Sequence, residues 1–292
     1  MTPDALAAGL NAIDELVADE RLEQLVELAS TAIGHQDNGL ASTPDLNRLR
    51  SMLSNALHED GAKLSNRVRV GELLGSLGDP RIHSPEDAEY WVPVTLQSGA
   101  VLKVGRYPVS CLEFLQFVGN GSYDDESAWT SDSLGWKRLG RRSWSDLAAV
   151  VPHNLLVSNQ PVVGINWYEA MAYAKTVQAR LPTVHERLQI ARGAEKRPYP
   201  WGDPFGHGNA NTVEEVVGRP CAVGLFSNDK TPEGVMDLAG NVGEWLQDAV
   251  GDQCLIHPGS WKQPSMASWA KARSLEKPTY REDDLGFRLV RD

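Results

Sequence analysis

Residues 222–245 have the sequence AVGLFSNDKTPEGVMDLAGNVGEW, and this stretch decides how the fold is interpreted. Four glycines and a proline interrupt it. Its apolar residues follow neither the two-residue repeat of a strand nor the 3.6-residue repeat of a helix. Something other than regular periodicity must therefore organise it.

The same lack of regular apolar periodicity extends from Gly193 through residue 292. Residues 193–292 contain four of the nine tryptophans but few apolar runs. About a hundred residues without periodicity are uncommon in a compact domain unless another feature fixes them. Buried tryptophans and bound ions are the two features that we expect.

The segment before Gly193 carries ordinary signals. Trp91–Leu96 and Val101–Val104 flank Gln-Ser-Gly, which predicts a β-hairpin. Helices are predicted from the Ser110 cap through Phe117, over residues 167–178 and over 183–192. Thr183 and Glu186 have the spacing of a capping box. Residues 119–160, rich in Gly, Ser, Asp and Trp, predict loops pinned by aromatic rings.

Residues 1–80 predict a small acidic helical module. Thr2-Pro3-Asp4 and Thr43-Pro44-Asp45 are helix starts, followed by leucines at helical spacing with a break near Asp19. The module ends at Gly78-Asp79-Pro80. Residues 1–90 hold 16 acidic and 7 basic side chains, so most of the formal charge of −11 belongs here.

Composition limits the function classes. A chain of 292 residues, 41% of them hydrophobic, can bury a large core in one or two domains. The negative charge argues against a nucleic-acid binder. We expect a soluble, cytoplasmic protein without a membrane span, because no apolar run nears about 20 residues and the N-terminus carries acids rather than the bases of a signal peptide. Three widely spaced cysteines indicate neither disulfides nor a zinc site.

Seven segments occur in a characteristic order: QPVVGINWYEAMAYA, RLPTVHERLQIARG, YPWGDPF, NANTVEE, AVGLFSNDKTPEGVMDLAGNVGEW, PGSW and DDLGFRLVR. Together they resemble the formylglycine-generating enzyme (sulfatase-modifying factor) family. The similarity covers about residues 88–292 and implies an α+β, loop-rich variant of the C-type lectin fold. In that family LPT(E)xE(W) opens a helix, GNVxEW ends in a buried tryptophan and GFR forms the last strand.

The residues that bind redox metals in this family have no counterpart in this sequence. Its oxidase members bind copper through two cysteines after the GS(W/F) turn, and thiolates are the ligands that copper(I) needs. Residues 259–273 contain no cysteine, and Cys254 precedes the turn. Iron-dependent, sulfoxide-forming relatives use three histidines with an HxxxH pair, a spacing absent from these seven histidines. We therefore expect neither copper nor iron, and a buried strand position for Cys254.

Calcium is the cofactor that the resemblance allows. One family site maps to Asp237, Gly240, Val242 and Glu244, whose carboxylates and carbonyls are oxygen ligands suited to a hard cation. A second, weaker set maps to Asn211, Thr212, Glu215 and Val217. The alternative for the first set is that Glu244 braces the turn by hydrogen bonds without any ion.

The loop between PGSW and GFR lines the family's substrate groove. Mixed aromatic and cationic residues suit protein or peptide recognition. Ordinary loop packing is the alternative for Trp269 and Arg273. His207 and His257 either touch a ligand or are solvated, and His185 is expected at the surface. The predicted ligand-binding residues are Lys262, Gln263, Met266, Trp269, Lys271, Arg273, Tyr280, Arg281 and Asp284.

Three functions remain open from the sequence. The first is a non-catalytic binding module whose acidic helical N-terminus contacts another protein. The second is a divergent metal-dependent oxidase or protein-modifying enzyme. The third is a variable protein of a diversity-generating retroelement, which shares this fold. We favour the first, because both known sets of redox-metal ligands are absent; the ligand, the partner of residues 1–80 and the oligomeric state stay open.

Overall fold

A computed structural model gives the structure of the chain. It describes residues 2–13, 16, 18–34, 44–59, 61–138, 144 and 156–292. The chain divides into two compact units. The first comprises residues 1–82 with 157–159, and the second comprises 83–156 and 160–292.

The described part of the first unit is helical. Leucines three and four residues apart give each helix one apolar face, and Leu10, Leu22 and Leu49 are fully buried. The first two helices are separate, the second beginning at Ala18, one residue before the predicted break near Asp19. Pro3 and Pro44 of the two predicted start signals are the first residues of helices. The helices are α1 (Pro3–Ile13), α2 (Ala18–Ile33), α3 (Pro44–Ala56) and α4 (Leu64–Leu77).

The second unit begins with the predicted hairpin. Strands β1 (Trp91–Thr95) and β2 (Val101–Gly105) are antiparallel, with Trp91 opposite Gly105. Gly99 takes a positive φ of 85° in the connecting turn, a conformation that glycine adopts without strain. The final strand β7 (Val290–Arg291) pairs with β2 and completes a three-stranded sheet.

Local capping fixes three of the helices in the second unit. Ser110, Asn166 and Thr183 each accept a hydrogen bond from the backbone N–H of a glutamate three residues later, and that glutamate bonds back. The Thr183–Glu186 box confirms the prediction. The helices are α5 (Cys111–Gly119), α6 (Ser131–Arg138), α7 (Trp167–Thr176) and α8 (Val184–Arg192).

Helix α6 corrects the sequence prediction of loops throughout residues 119–160. Its eight residues include Gly135 and show little periodicity, so the sequence alone gave no helical signal. Tertiary packing supports it instead: Trp136 stacks on Trp129 at 6.1 Å and lies 5.7 Å from the Tyr168 ring. Residues 139–143 and 145–155 of the predicted loop lie outside the described residues.

The C-terminal hundred residues form a second, four-stranded sheet. Its strands are β3 (Gly243–Val250), β4 (Gln253–His257), β5 (Ser274–Glu276) and β6 (Leu285–Phe287), in the order β5-β4-β3-β6. Strands β3 and β6 are parallel, with Trp245 opposite Phe287. The GNVGEW and GFR segments thus lie side by side. The buried tryptophan that the resemblance assigned to GNVGEW is Trp245. GFR is not the last strand, because it lies at β6 and β7 follows it.

The prediction that buried tryptophans organise residues 193–292 holds for one of the four rings there. Trp245 is fully buried, and its indole N–H donates to the carbonyl of Ile165 at 3.2 Å. Trp201 and Trp261 are half-buried and Trp269 is exposed. Earlier in the chain, Trp144 is also buried and donates to the carbonyl of Val163 at 2.8 Å. Each of the two buried rings therefore fills core volume while its N–H satisfies a loop carbonyl that regular structure leaves unpaired.

Among the described residues, no helix is both long enough and apolar enough to cross a bilayer.

Expressing residues 82–292 alone should give a folded protein, because the second unit has its own two sheets and aromatic core. The loss of Asn159 hydrogen bonds to Gly71 and Asp79 should leave that core intact. Circular dichroism and urea unfolding would show a single cooperative transition. An insoluble or molten fragment, beside a well-folded full-length chain, would mean that the helices belong to one common core.

Candidate ligand-binding site

Glu244 lies at the centre of the second unit, on β3, and is fully buried. Its Oε2 accepts a hydrogen bond from Nε of Arg187 at 2.7 Å, and its Oε1 accepts one from Nε of Arg288 at 2.8 Å. Burial alone would raise the pKa of this carboxyl group, but the two guanidinium groups outweigh it and hold the pKa below its ordinary value. Glu244 is therefore ionised and paired.

These contacts make Glu244 a poor calcium ligand. Both carboxylate oxygens are already engaged, and the two positive charges would repel a divalent cation beside them. The residues present do not fit the ion at this position. The alternative, in which Glu244 braces the structure through hydrogen bonds, agrees with the geometry, although the bracing partners are two arginines rather than the turn itself.

Asp229, which the sequence did not single out, holds the loop instead. Its carboxylate accepts hydrogen bonds from the backbone N–H groups of Leu238, Ala239 and Gly240 at 2.9–3.1 Å. The predicted ligand Asp237 accepts one from Gly224 at 2.7 Å. Burial, and then the nearby Asp237, raise the pKa of Asp229 to about 7. The GNV loop is thus shaped by carboxylate-to-amide bonds.

The second calcium set differs, because one of its predicted ligand oxygens is unoccupied. The buried Oδ1 of Asn211 has no hydrogen-bond donor among the described residues. The Thr212 carbonyl, the oxygen that the resemblance assigns to the ion, accepts from the Glu215 N–H at 3.1 Å. Glu215 is partly engaged: its Oε1 accepts from the Gly208 N–H at 2.6 Å and lies 3.4 Å from Nδ1 of His207. The fourth member, Val217, is half-buried. This set retains an oxygen that a cation could take, and calcium here stays a prediction.

The PGSW–GFR loop exposes its apolar members. Met266 is 75% exposed and Trp269 47% exposed, and the Lys271 ammonium lies 5.7 Å from the Trp269 ring. Gln263 is exposed as well. A short helical turn, Ser265–Ser268, presents this surface, anchored by a hydrogen bond from the Ser265 N–H to Glu214 at 2.8 Å.

Two predicted surface residues are turned inward. Arg281 donates to the Gly164 carbonyl at 2.7 Å and to the buried Glu169 carboxylate at 2.5 Å. Asp284 is buried and accepts the Ser260 hydroxyl at 2.6 Å. Burial raises the pKa of Asp284. Arg281 therefore joins two parts of the domain, the Gly164 carbonyl and the Glu169 carboxylate, by hydrogen bonds. Asp284 lines a cleft.

That cleft is acidic. It has a volume of about 340 Å³ and is lined by Gln263, Tyr280 and three carboxyl groups, those of Glu276, Glu282 and Asp284. No lysine or arginine lines it in the described part of the chain. Lys262 nevertheless sits beside it, with its ammonium 3.4 Å from Glu282 and paired with Asp283. Glu276 and Glu282 were missed from the sequence, although the acidic run at 282–284 was a signal.

The sequence of the second unit matches a known protein family. The model of the sulfatase-modifying factor enzyme 1-like domain matches residues 75–292. The chain belongs to this family. PvdO from Pseudomonas aeruginosa has the same fold, with a TM-score of 0.50 and 20% identity over 66% of this chain and 81% of its own.

Relatives within the family include both an oxygenase and an inactive protein. The hercynine oxygenase of Mycolicibacterium smegmatis is 23% identical, covering 71% of this chain and 55% of its own length. Inactive C-alpha-formylglycine-generating enzyme 2 of Bos taurus is 26% identical, covering 86% of this chain and 96% of its own. The chain spans about half the length of the first relatives that it matches.

The cysteines of this family member are not placed for metal chemistry. All three are buried. Burial raises the pKa of Cys254 to about 11 and that of Cys111 to about 12, so both are thiols at neutral pH. Cys254 lies in β4, which confirms the strand position that we expected.

The histidines singled out from the sequence differ in their burial. His185 and His207 are exposed, as expected for His185. His257 is buried rather than solvated: its Nδ1 accepts the Gly259 N–H at 3.3 Å and its Nε2 lies 3.2 Å from the Trp269 carbonyl. Burial, and then the charge of Arg187, lower its pKa well below the usual value. His257 is thus a neutral, structural side chain.

Replacing Glu244 by glutamine should lower the free energy of unfolding by about 3 kcal/mol, because a neutral amide cannot balance two buried guanidinium groups. Urea unfolding should show the same loss with and without a calcium chelator. Glu233→Gln, at an exposed position, is the matched control and should change stability by less than about 0.5 kcal/mol. A loss that the chelator abolishes would make Glu244 a calcium ligand after all.

Proposed function

We propose that the chain is a non-catalytic binding module that takes a basic segment of a protein or peptide at the PGSW–GFR loop. The observation that carries the proposal is the acidic cleft of about 340 Å³ on the loop that also exposes Met266 and Trp269. An acidic recess beside exposed apolar side chains suits a ligand with a cationic group next to an apolar one.

The cleft offers suitable contacts for an ammonium or guanidinium group. Glu276 and Glu282 are half-buried, so their charges are less screened than those of fully exposed carboxylates. Tyr280 adds an aromatic ring on which a cation can rest. Lys262 already pairs with Glu282 and Asp283, so a cation of the ligand would share Glu282 with it, whereas Glu276 forms no ion pair among the described residues.

Aromatic residues and methionine are enriched at protein interfaces. Met266 and Trp269 would therefore cover the apolar part of the ligand, while Gln263 at the cleft edge can donate and accept hydrogen bonds. The inward position of Arg281 removes one predicted contact but gives the loop a rigid base through Glu169. Rigidity of this kind lowers the entropy cost of binding.

An oxygenase or protein-modifying enzyme is the second candidate, favoured by the likeness to hercynine oxygenases. The family's copper cysteines have no counterpart after the GSW turn, and Cys254 is a buried thiol. Likeness to an inactive relative over most of both chains supports the binding module instead. The retroelement variable protein stays a prediction of the sequence alone.

A fluorescein-labelled peptide of alternating lysine and tryptophan should bind the full chain, as measured by fluorescence anisotropy. The double variant Glu276→Gln, Glu282→Gln should weaken binding about tenfold, since it removes two partly screened charge pairs. The double variant Glu86→Gln, Glu233→Gln has the same net charge but lies outside the cleft, and should bind like the original. Equal loss in both variants would reduce the binding to non-specific attraction.

A cysteine-containing sulfatase peptide should not be converted to formylglycine, because the loop after GSW lacks the thiolates that copper(I) requires. Mass spectrometry of the peptide and an oxygen electrode would check this. Cys254→Ser should leave peptide binding unchanged. Oxygen consumption that disappears in Cys254→Ser would instead establish the enzyme.

A further inference from the structure

A second cavity, of about 230 Å³, lies between α8, β3 and the segment 270–273. Val184, Leu188 and Leu246 give it an apolar wall. Its volume equals that of about eight liquid water molecules, which suits a small organic molecule rather than a chain segment. Its lining differs from that of the acidic cleft, so a ligand in this cavity does not depend on the proposed function.

Every ionisable side chain on this cavity is basic, within the described residues. Arg187, Lys271 and Arg273 line it, and no aspartate or glutamate does. Lys271 and Arg273 are exposed, and neither forms an ion pair among the described residues. The same loop therefore contributes Gln263 to an acidic cleft and two cations to a basic cavity.

Arg187 is the buried cation of the cavity, being only 3% exposed. Its Nε donates to Glu244, and its Nη2 donates to the Leu238 carbonyl at 2.6 Å. Its Nη1 has no hydrogen-bond acceptor among the described residues. A buried guanidinium nitrogen without an acceptor is costly unless something else supplies one.

No neighbouring side chain can supply that acceptor without giving up another contact. Glu244 is shared with Arg288, and Asp229 is occupied by three backbone N–H groups. His257, the remaining polar residue on the cavity, accepts the Gly259 N–H at Nδ1, so its Nε2 carries the proton toward the Trp269 carbonyl. Two guanidinium groups therefore share one directly bonded carboxylate.

We infer that this cavity binds a small organic carboxylate. One carboxylate oxygen would accept from Nη1 of Arg187, Arg273 and Lys271 would add positive charge at the entrance, and a short apolar tail would rest on Val184, Leu188 and Leu246. Charge-assisted bonds to a guanidinium are among the stronger hydrogen bonds in proteins. The ligand would supply the hydrogen-bond acceptor that Nη1 of Arg187 lacks among the described residues.

The test compares butyrate with butyramide, which has the same shape but no charge, by NMR titration of the full chain. Butyrate should bind at least tenfold more tightly than butyramide. Acetyl-valine and its amide form a second pair that represents the C-terminus of a protein. Preference for the acid in either pair supports the inference, and the pair that binds more tightly identifies a free acid or a chain terminus as the source.

Two variants connect the binding to the cavity. Arg273→Gln changes an exposed side chain, so folding should be preserved, and butyrate affinity should fall about fivefold. Arg187→Lys keeps the charge but removes the Nη1 donor, and should weaken butyrate more than butyramide. Lys175→Gln is the control, since Lys175 is exposed and lines a different cavity. Equal affinity for acid and amide, or butyrate binding unaffected by Arg273→Gln, would overturn the inference.

Discussion

The buried trio Arg187–Glu244–Arg288 is the constraint on which the second unit depends. Arg187 comes from α8, Glu244 from β3, and Arg288 directly follows β6. Arg288 also donates to the carbonyls of Gly105, Arg106, Met236 and Asp237 at 2.6–3.0 Å. One cluster therefore joins the hairpin end, the GNV loop and the four-stranded sheet. Removing one member would leave a buried charge without its partner, which is strongly destabilising.

This constraint explains why the loop-rich half of the domain can hold its shape with little periodicity. Burying a charge is expensive, so each guanidinium must find its acceptors in the one arrangement that supplies them. The carbonyls of the Met236–Leu238 segment are those acceptors, and the Asp229 carboxylate holds the amides that follow. The buried ring of Trp245 fills part of the remaining volume. An ion is one means of organising such loops, and paired side chains are another.

Much of the fold could be predicted from the sequence, because its signals are local. Capping at Thr183, the hairpin around Gly99 and the leucine faces of α1 to α4 need only neighbours along the chain. Helix α6 could not be predicted, since distant rings at Trp129 and Tyr168 support it. The site was harder still. An acid in a glycine-rich loop can meet a calcium ion or an arginine, and only the position of Arg187, which lies 57 residues before Glu244, decides between them.

The same reasoning separates the nine predicted ligand-binding residues, which the sequence treated as one surface. Gln263, Tyr280 and Asp284 line an acidic cleft, Lys271 and Arg273 line a basic cavity, and Arg281 turns inward to Glu169. The composition of the loop indicated a mixture of charges, but in the structure the acidic side chains line one recess and the basic side chains line another. A surface of mixed charge attracts many ligands weakly, whereas recesses of a single sign exclude ligands of like charge. Under the two proposals, neither recess needs a metal to select its ligand, because the linings of the two recesses carry opposite charges.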